Sequence, residues 1–489
     1  MDGSNQSKKW QKRVKRGSLW AVASISACLI TLTLRWLPLY FDARNYVSDI
    51  RSGASIGKLE VDAEKLASKY RSFTRDLERP GINLISQFLP VDLPSISKEV
   101  SALIETSPDT LGFGKVKKYL IAVQNSAEAR GTGGILGAYA IVEVKRGKIS
   151  IIKASSNADF PSEPYTPLKM PDEFTNLYGN DPGIFQNSNL SPHFPYGARI
   201  WMKLWTDRNG GKLDGVIAID PTAISYVLRA TGPITSSTGE QFDESNVVRK
   251  TLKDLYKRYE FDNVGRKQFL VTLMDAMFAK LQNGSYDKIT MAKAFRQMVL
   301  DRRLLFYSTE SHTQKIIGPS LFGSEMSLEN NKEFRAVVLN TDASKLDYYL
   351  ARNVNVITEN CGKDSSTRIE VVLKNNVTKP KELPDYVLTR ADKGQPKVLK
   401  TGQHRFRLFL YGPTHSKLVG ALRSNQKGPS PTLSVERNRP LLVVDIDLAP
   451  QASEKVTAVF HGGSGAVTFI DQPLVIPTVV RLQDSCHGK

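Results

Sequence analysis

The chain has 489 residues, with 40% hydrophobic, 24% charged and 9% aromatic residues. That is a globular composition, and the length suits two or three domains rather than one. Sixty-seven Lys and Arg against 49 Asp and Glu leave a formal net charge of +18, an excess that selects anionic partners such as nucleic acid, lipid surfaces or acidic polymers.

The N-terminus decides among these. Lys8, Lys9, Lys12, Arg13, Lys15 and Arg16 form a basic tail over residues 1–16. A hydrophobic run over residues 17–41 follows, broken only by Arg35. A helix crosses the hydrocarbon core with about 20 residues, so the run is long enough to span. Trp20 lies near one end, with Trp36 and Tyr40 near the other, where amphipathic rings favour the interface. Arg35 snorkels from near the outer end. The positive-inside rule keeps the tail cytoplasmic and sends the rest of the chain outside. Ile25-Ser26-Ala27-Cys28 resembles a lipoprotein cleavage box, but apolar residues continue beyond it, and Cys28 reads as a membrane residue. The expected location is therefore the cell membrane, single-pass, with the main domains extracytoplasmic. The expected partners are the membrane and an anionic glycolipid or cell-wall glycopolymer, and not nucleic acid. Of the three cysteines, Cys361 and Cys486 remain for at most one disulfide, and neither they nor the six histidines show metal-ligand spacing.

Residues 42–110 read as helix-rich, with a break at Arg79-Pro80-Gly81, and suit a helical stalk. From residue 111 to 347 strands and helices mix. Tyr119–Val123 is a short apolar run followed by a glycine-rich loop, Gln124 to Gly134. Ile135–Val144 and Ile149–Ile152 flank the turn Lys145-Arg146-Gly147-Lys148, which predicts a hairpin. Asp214–Ile219 is a fourth strand that runs into Asp220-Pro221, an N-cap with proline in the first turn; that helix stops at Gly232-Pro233. An amphipathic helix is predicted over Asn263–Gln282, with Arg266 continuing the stripe of Leu270, Leu273, Met277 and Leu281. The fold class is α/β around a mixed sheet. Residues 348–489 alternate with period two over Arg368–Val371, Arg405–Leu410, Leu441–Leu448, Val456–Phe460 and Leu474–Leu482, which predicts a β-sandwich.

Three places offer chemistry. Arg130 in the glycine-rich loop can fork onto phosphate oxygens while Thr132, Gly133 and Gly134 bring backbone amides close, although such a loop without a Walker lysine is more often a tight turn. Arg266 stands at the start of its helix, where an anion is favoured; a structural carboxylate partner is the alternative. The polar segment Asn187–Pro195 contains Asn189 and His193, with Arg199 in the next helix; His193 reads as a loop histidine satisfied by its neighbours. Asp220 is explained as an N-cap.

These segments carry a family resemblance. Asn125-x-x-Glu128-x-Arg130-Gly131-Thr132-Gly133-Gly134, Asn189-x-Ser191-Pro192-x-Phe194-Pro195 and Asp214–Pro221, with Gly232-Pro233 and Arg266, resemble the bacterial envelope family called domain of unknown function 4012, from Lys115 to Tyr349. The β-rich tail is similar to the C-terminal regions of actinobacterial members. More distantly, the order of elements is similar to the LytR-CpsA-Psr phosphotransferases, membrane-anchored enzymes that move a glycopolymer from a polyprenyl-pyrophosphate carrier onto the cell wall. That resemblance implies a LytR-CpsA-Psr-like α/β domain. Its pyrophosphate site would draw on Arg130, Thr132, Gly133, Gly134, Asn189, Arg199, Arg266 and Gln268, with Mg2+ as the implied metal. The chain departs from the pattern where it has Thr132 in place of an aspartate, Ser155–Asp159 in place of an Arg-Asp pair, and Lys267 in place of a second arginine. Two readings therefore stay open: a glycopolymer phosphotransferase, or a non-enzymatic envelope module that binds wall polymer or protein partners.

Overall fold

The structure is a computed structural model that describes residues 37–79, 93–163, 165, 168–284, 286–330, 332–360, 366–388, 400–425, 428–462 and 467–484. Of the predicted membrane span 17–41, only residues 37–41 are among them, and all three cysteines lie outside. Among the described residues, no helix is long and apolar enough to cross a membrane. The chain divides into two compact units, one reaching Lys117 and including Val144–Lys148, the other holding Lys118–Glu143 and Ile149–Lys489.

The first unit is helical. A helix through residues 37–52 is followed by α1 (Ile56–Leu77) and α2 (Leu93–Thr110). Ser55 caps α1 by accepting from the Lys58 amide, and the helix stops just before the predicted break at Arg79. Leu59, Ala63, Leu66, Phe73 and Leu77 recur at helical spacing and bury with Leu39, Tyr46 and Phe113 into one core. Thr74 bonds to Ser97 at 2.8 Å and Ser101 to the Ala67 carbonyl at 3.2 Å, tying α1 to α2. The residues expected as a stalk thus carry a core of their own.

The second unit holds most of a mixed sheet. Its strands are β1 (Lys117–Arg130), β2 (Gly133–Lys145), β3 (Lys148–Ser156), β4 (Gly215–Ile219) and β5 (Leu304–Ser308), in the order β3-β2-β1-β4-β5. The predicted hairpin is present: Arg146 and Gly147 have φ of 47° and 74°, the two left-handed residues of a tight primed turn. The predicted glycine-rich loop is not a loop. β1 continues to Arg130 and β2 starts at Gly133, so only Gly131 and Thr132 turn the chain. Gly131 is required there because a Cβ would overlap the backbone atoms of Leu190 and Ser191.

β1 and β4 run parallel, with α3 (Phe194–Asn209) between them in sequence. α4 (Pro221–Thr231) begins as expected: Asp220 accepts from the Ala223 amide at 2.8 Å, and the helix ends at Gly232, φ 75°. Asp220 does more than cap, since its other oxygen holds buried Arg303. α5 (Asn263–Gln282) has the predicted bounds, and α6 (Lys288–Leu300) leads into β5.

The C-terminal region is a sandwich of two five-stranded sheets. One holds β6 (Glu333–Asn340), β9 (His404–Tyr411), β11 (Thr432–Glu436), β12 (Arg439–Leu448) and β14 (Thr468–Asp471), in the order β11-β12-β9-β6-β14. The other holds β7 (Leu350–Asn360), β8 (Ser366–Asn375), β10 (Lys417–Arg423), β13 (Ser453–His461) and β15 (Val479–Asp484), in the order β10-β13-β8-β7-β15. The sandwich starts earlier than residue 348, because β6 pairs with β9 rather than with the first sheet. Of the expected strand Leu474–Leu482 only the end pairs, in β15 from Val479, after Pro477, which cannot donate to a ladder. Inward residues such as Val338, Val356, Val371, Leu408, Val444 and Ala458 fill the space between the sheets. Ala129, at the end of β1, joins that core, and Gln472 donates to the Arg130 carbonyl at 2.7 Å. Sheet and sandwich therefore belong to one compact unit.

Candidate functional site

The two faces of the first sheet are covered unequally. Alternate residues point to opposite faces. Leu120 and Ala122 of β1, Val216 and Ala218 of β4 and Leu305 of β5 are buried in one core with Trp201 and Leu204 of α3. On the other face Ile121, Ile217 and Phe306 stand in register across three strands, as do Val123, Ile219 and Leu304. Ile219 and Leu304 touch the core of α4, α5 and α6, but all of these except Ile121 remain part-exposed. The result is a row of large apolar side chains incompletely roofed by helices.

That row ends in charge. Asn125 follows Val123 on the same face and donates to the Tyr256 hydroxyl at 2.5 Å. Tyr256 comes just after a π-helical turn, Lys250–Asp254, an irregularity found often at functional sites. The Tyr256 ring stacks on Tyr386 at 5.7 Å, and the Arg266 guanidinium lies 4.5 Å from the first ring and 5.6 Å from the second. Lys345 sits 5.0 Å over Tyr386 and places its ammonium 2.5 Å from Glu128 Oε2. Glu128 Oε1 is 2.7 Å from Arg130 Nη2. Burial would lower the Lys345 ammonium, but Glu128 beside it holds it above its ordinary value. Lys267 is placed differently: burial, with Arg266 and Lys345 nearby, pulls its ammonium down. Arg130 and Lys345 pair with Glu128, while Arg266 and Lys267 add two further cations beside them. Asp347 turns elsewhere, to the Ala129 amide, Asn340 and His404. Among the described residues Arg266 meets no carboxylate, and its side-chain bond goes to Asn263 at 2.7 Å. An excess of positive charge beside aromatic faces at the carboxyl end of β1 has the chemistry that suits an anion.

Arg130 itself is nearly sealed. Nε donates to Gln186 O, Nη1 to Ala129 O and Asn340 O, and Nη2 to Glu128. Four of the five N–H groups of a guanidinium are thereby used. Its role in this geometry is to hold Glu128. Thr132, Gly134 and Asn189 gather instead around Gln124. Asn189 Nδ2 reaches Thr132 Oγ1 at 2.8 Å, the Gly134 carbonyl at 2.9 Å and Gln124 Oε1 at 3.2 Å, while Thr132 donates to the same Gln124 oxygen at 2.7 Å. This is a closed amide knot that locks the β1–β2 turn to the segment before α3.

Residues 115–256 match the family model of a protein of unknown function, DUF4012. No curated protein matches the chain. Among solved structures, the crystal structure of protein gbs0355 from Streptococcus agalactiae is 11% identical and covers 45% of this chain and 76% of its own, with a TM-score of 0.25.

The DUF4012 match stops at Tyr256, short of the expected Tyr349, so Arg266, Lys267, Lys345 and Tyr386 lie beyond it. Within the DUF4012 segment, Arg199 is exposed on α3, whose core contacts lie on the opposite sheet face, away from the cation cluster. Gln268 is exposed on α5, next to Lys267. His193 is buried, accepts from the Met326 amide at 3.0 Å, and packs edge-on against Tyr196. Burial and the surrounding arginines 437, 335 and 199 keep it well below the ordinary histidine value and therefore neutral. Lys345 and Tyr386 had no sequence signal, since they meet the site from far along the chain: the Lys345–Glu128 contact spans 217 residues.

The residues do not fit the implied Mg2+. Such an ion needs oxygen ligands, chiefly carboxylates. Thr132 Oγ1 is spent on Gln124, Asp159 is held by Tyr139 and Lys153, and among the described residues no three His, Cys, Asp or Glu converge.

Proposed function

We propose that the chain is a membrane-anchored extracytoplasmic envelope protein that binds a phosphate-bearing amphiphile, of the kind represented by a polyprenyl-pyrophosphate carrier or a phosphate-linked glycopolymer on a lipid. The observation that carries the reading is the meeting of two features at Asn125: the part-open apolar row Val123, Ile217, Ile219, Leu304 and Phe306, and the cation excess of Arg266, Lys267 and Lys345. An acyl or prenyl chain would lie along the first, at about 25 cal/mol per Å² of apolar surface covered. A phosphate would sit against the second, where its charge offsets the burial and the neighbouring cations that depress Lys267. Thr132, Gly134 and Asn189 brace the β1–β2 turn through the Gln124 knot, and Arg130 holds Glu128.

The sealing of Arg130 against Glu128 favours binding and presentation of the lipid over its transfer. Phosphoryl transfer depends on free cations or a metal placed on the leaving group. The test is calorimetry of the full chain in detergent with polyprenyl pyrophosphate, comparing wild type with Arg266→Ala and Lys267→Ala. Loss of a charge-assisted contact of about 1.5–3 kcal/mol weakens binding roughly tenfold to a hundredfold. Unchanged affinity in both variants would overturn the proposal.

A further inference from the structure

Just before Arg266 the chain makes a short projecting loop, Tyr259–Asp262, between the helical turn Leu255–Arg258 and α5. Phe261 at its tip is 97% exposed, and Val264 on the first turn of α5 is 67% exposed. The loop is firmly held. Tyr259 packs on Phe269 at 6.0 Å, the Asp262 amide donates to Tyr259 O at 3.1 Å, and the Asp262 carboxylate caps α5 by accepting from Gly265 N at 2.8 Å. A phenylalanine presented on a braced loop costs solvation that the fold does not recover internally.

The charges around it have one dominant sign. From Arg249 to Lys267 the chain has seven cations, Arg249, Lys250, Lys253, Lys257, Arg258, Arg266 and Lys267, against three acids, Asp254, Glu260 and Asp262. Asp254 pairs with Arg249, Asp262 is occupied in capping, and Glu240, from outside the stretch, takes Arg258 and Lys250. Lys253 and Lys257 remain exposed near the tip in sequence, as does the acid Glu260. An apolar wedge with a basic collar is the chemistry of an interfacial membrane contact. A protein partner has no need of so small an apolar area, whereas a bilayer accepts a single aromatic ring at its interface.

We propose that the loop Tyr259–Asp262, with Val264, docks onto an anionic bilayer surface, Phe261 entering the headgroup–acyl boundary while Lys253 and Lys257 meet lipid phosphates. This brings Arg266 and Lys267 to headgroup level, which explains how a lipid phosphate reaches them, but the docking contact does not itself require the headgroup site.

The experiment uses the full chain in nanodiscs made with brominated lipids, which quench tryptophan in the acyl region. Phe261→Trp is compared with wild type, whose five tryptophans set the baseline. The expected result is quenching beyond that baseline in brominated phosphatidylglycerol, smaller in brominated phosphatidylcholine and reduced by high salt. Quenching no greater than wild type in either lipid overturns the proposal. Quenching of equal size in both, unaffected by salt, overturns the anionic assignment. Calorimetry of Arg266→Ala reads the headgroup site separately, so either contact can fail alone.

Discussion

Two arginines that look alike in the sequence are predicted to respond very unequally to truncation. In Arg130→Ala, buried Glu128 loses one of its two cations and keeps Lys345 at 2.5 Å, while the carbonyls of Gln186, Ala129 and Asn340 lose a donor. Breaking a buried pair by removing one partner costs roughly 3–5 kcal/mol. The surviving Lys345 contact places this case toward the lower end of the ion-pair cost, and each orphaned carbonyl adds about 1 kcal/mol. A total loss of about 6 kcal/mol results. In Arg266→Ala the losses are a cation–π contact of about 0.5–2 kcal/mol and one hydrogen bond of about 1 kcal/mol. These are offset by relief of repulsion on Lys267, so the net cost is about 0–2 kcal/mol. Urea unfolding followed by tryptophan fluorescence measures both. An Arg130→Ala variant within about 0.5 kcal/mol of wild type, or an Arg266→Ala variant more damaged than it, would refute this contrast.

Three further outcomes rest on the same geometry. Gly131→Ala forces a Cβ into the backbone of Leu190 and Ser191, and a loss of roughly 2–4 kcal/mol is expected in the same unfolding assay. Asn189→Ala opens the Gln124 knot and should cost about 1–3 kcal/mol while leaving lipid-phosphate affinity, read by calorimetry, within a factor of about two. His193 is depressed from its ordinary value of 6.5, so below that pH the unfolded chain takes up a proton that the folded chain refuses. Stability therefore falls as pH drops below about 6.5, and His193→Gln should flatten that limb of a stability–pH curve.

Local signals were readable where the chain itself supplies the geometry. Arg146-Gly147 dictates the hairpin, Asp220-Pro221 starts α4, and the apolar stripe of α5 gives its bounds. Glu128 and Arg130 sit two apart on one strand and so share a face, a spacing that by itself points to their pairing. The glycines after Arg130 are ambiguous in sequence because a phosphate cradle and a tight turn need the same residues. Gln124 decides between them, drawing Thr132, Gly134 and Asn189 together from separate segments. β6 was illegible as a sandwich strand, since Phe334 to Leu339 is a continuous buried run, compatible with either sheet. Lys345 and Tyr386 were hidden for a different reason. They reach the site only because the sandwich folds back onto β1, and no local pattern encodes that contact.

Most depends on whether a lipid chain lies on the part-open face of the first sheet with its phosphate at Arg266 and Lys267. A polyprenyl pyrophosphate bearing a diazirine in its prenyl chain tests this directly, by photocrosslinking to the full chain and mapping of the adducts by mass spectrometry. Adducts are predicted on Val123 of β1, Ile217 and Ile219 of β4, and Leu304 and Phe306 of β5. Adducts confined to the sandwich strands or to α3, with none on that face, would contradict a lipid seated there.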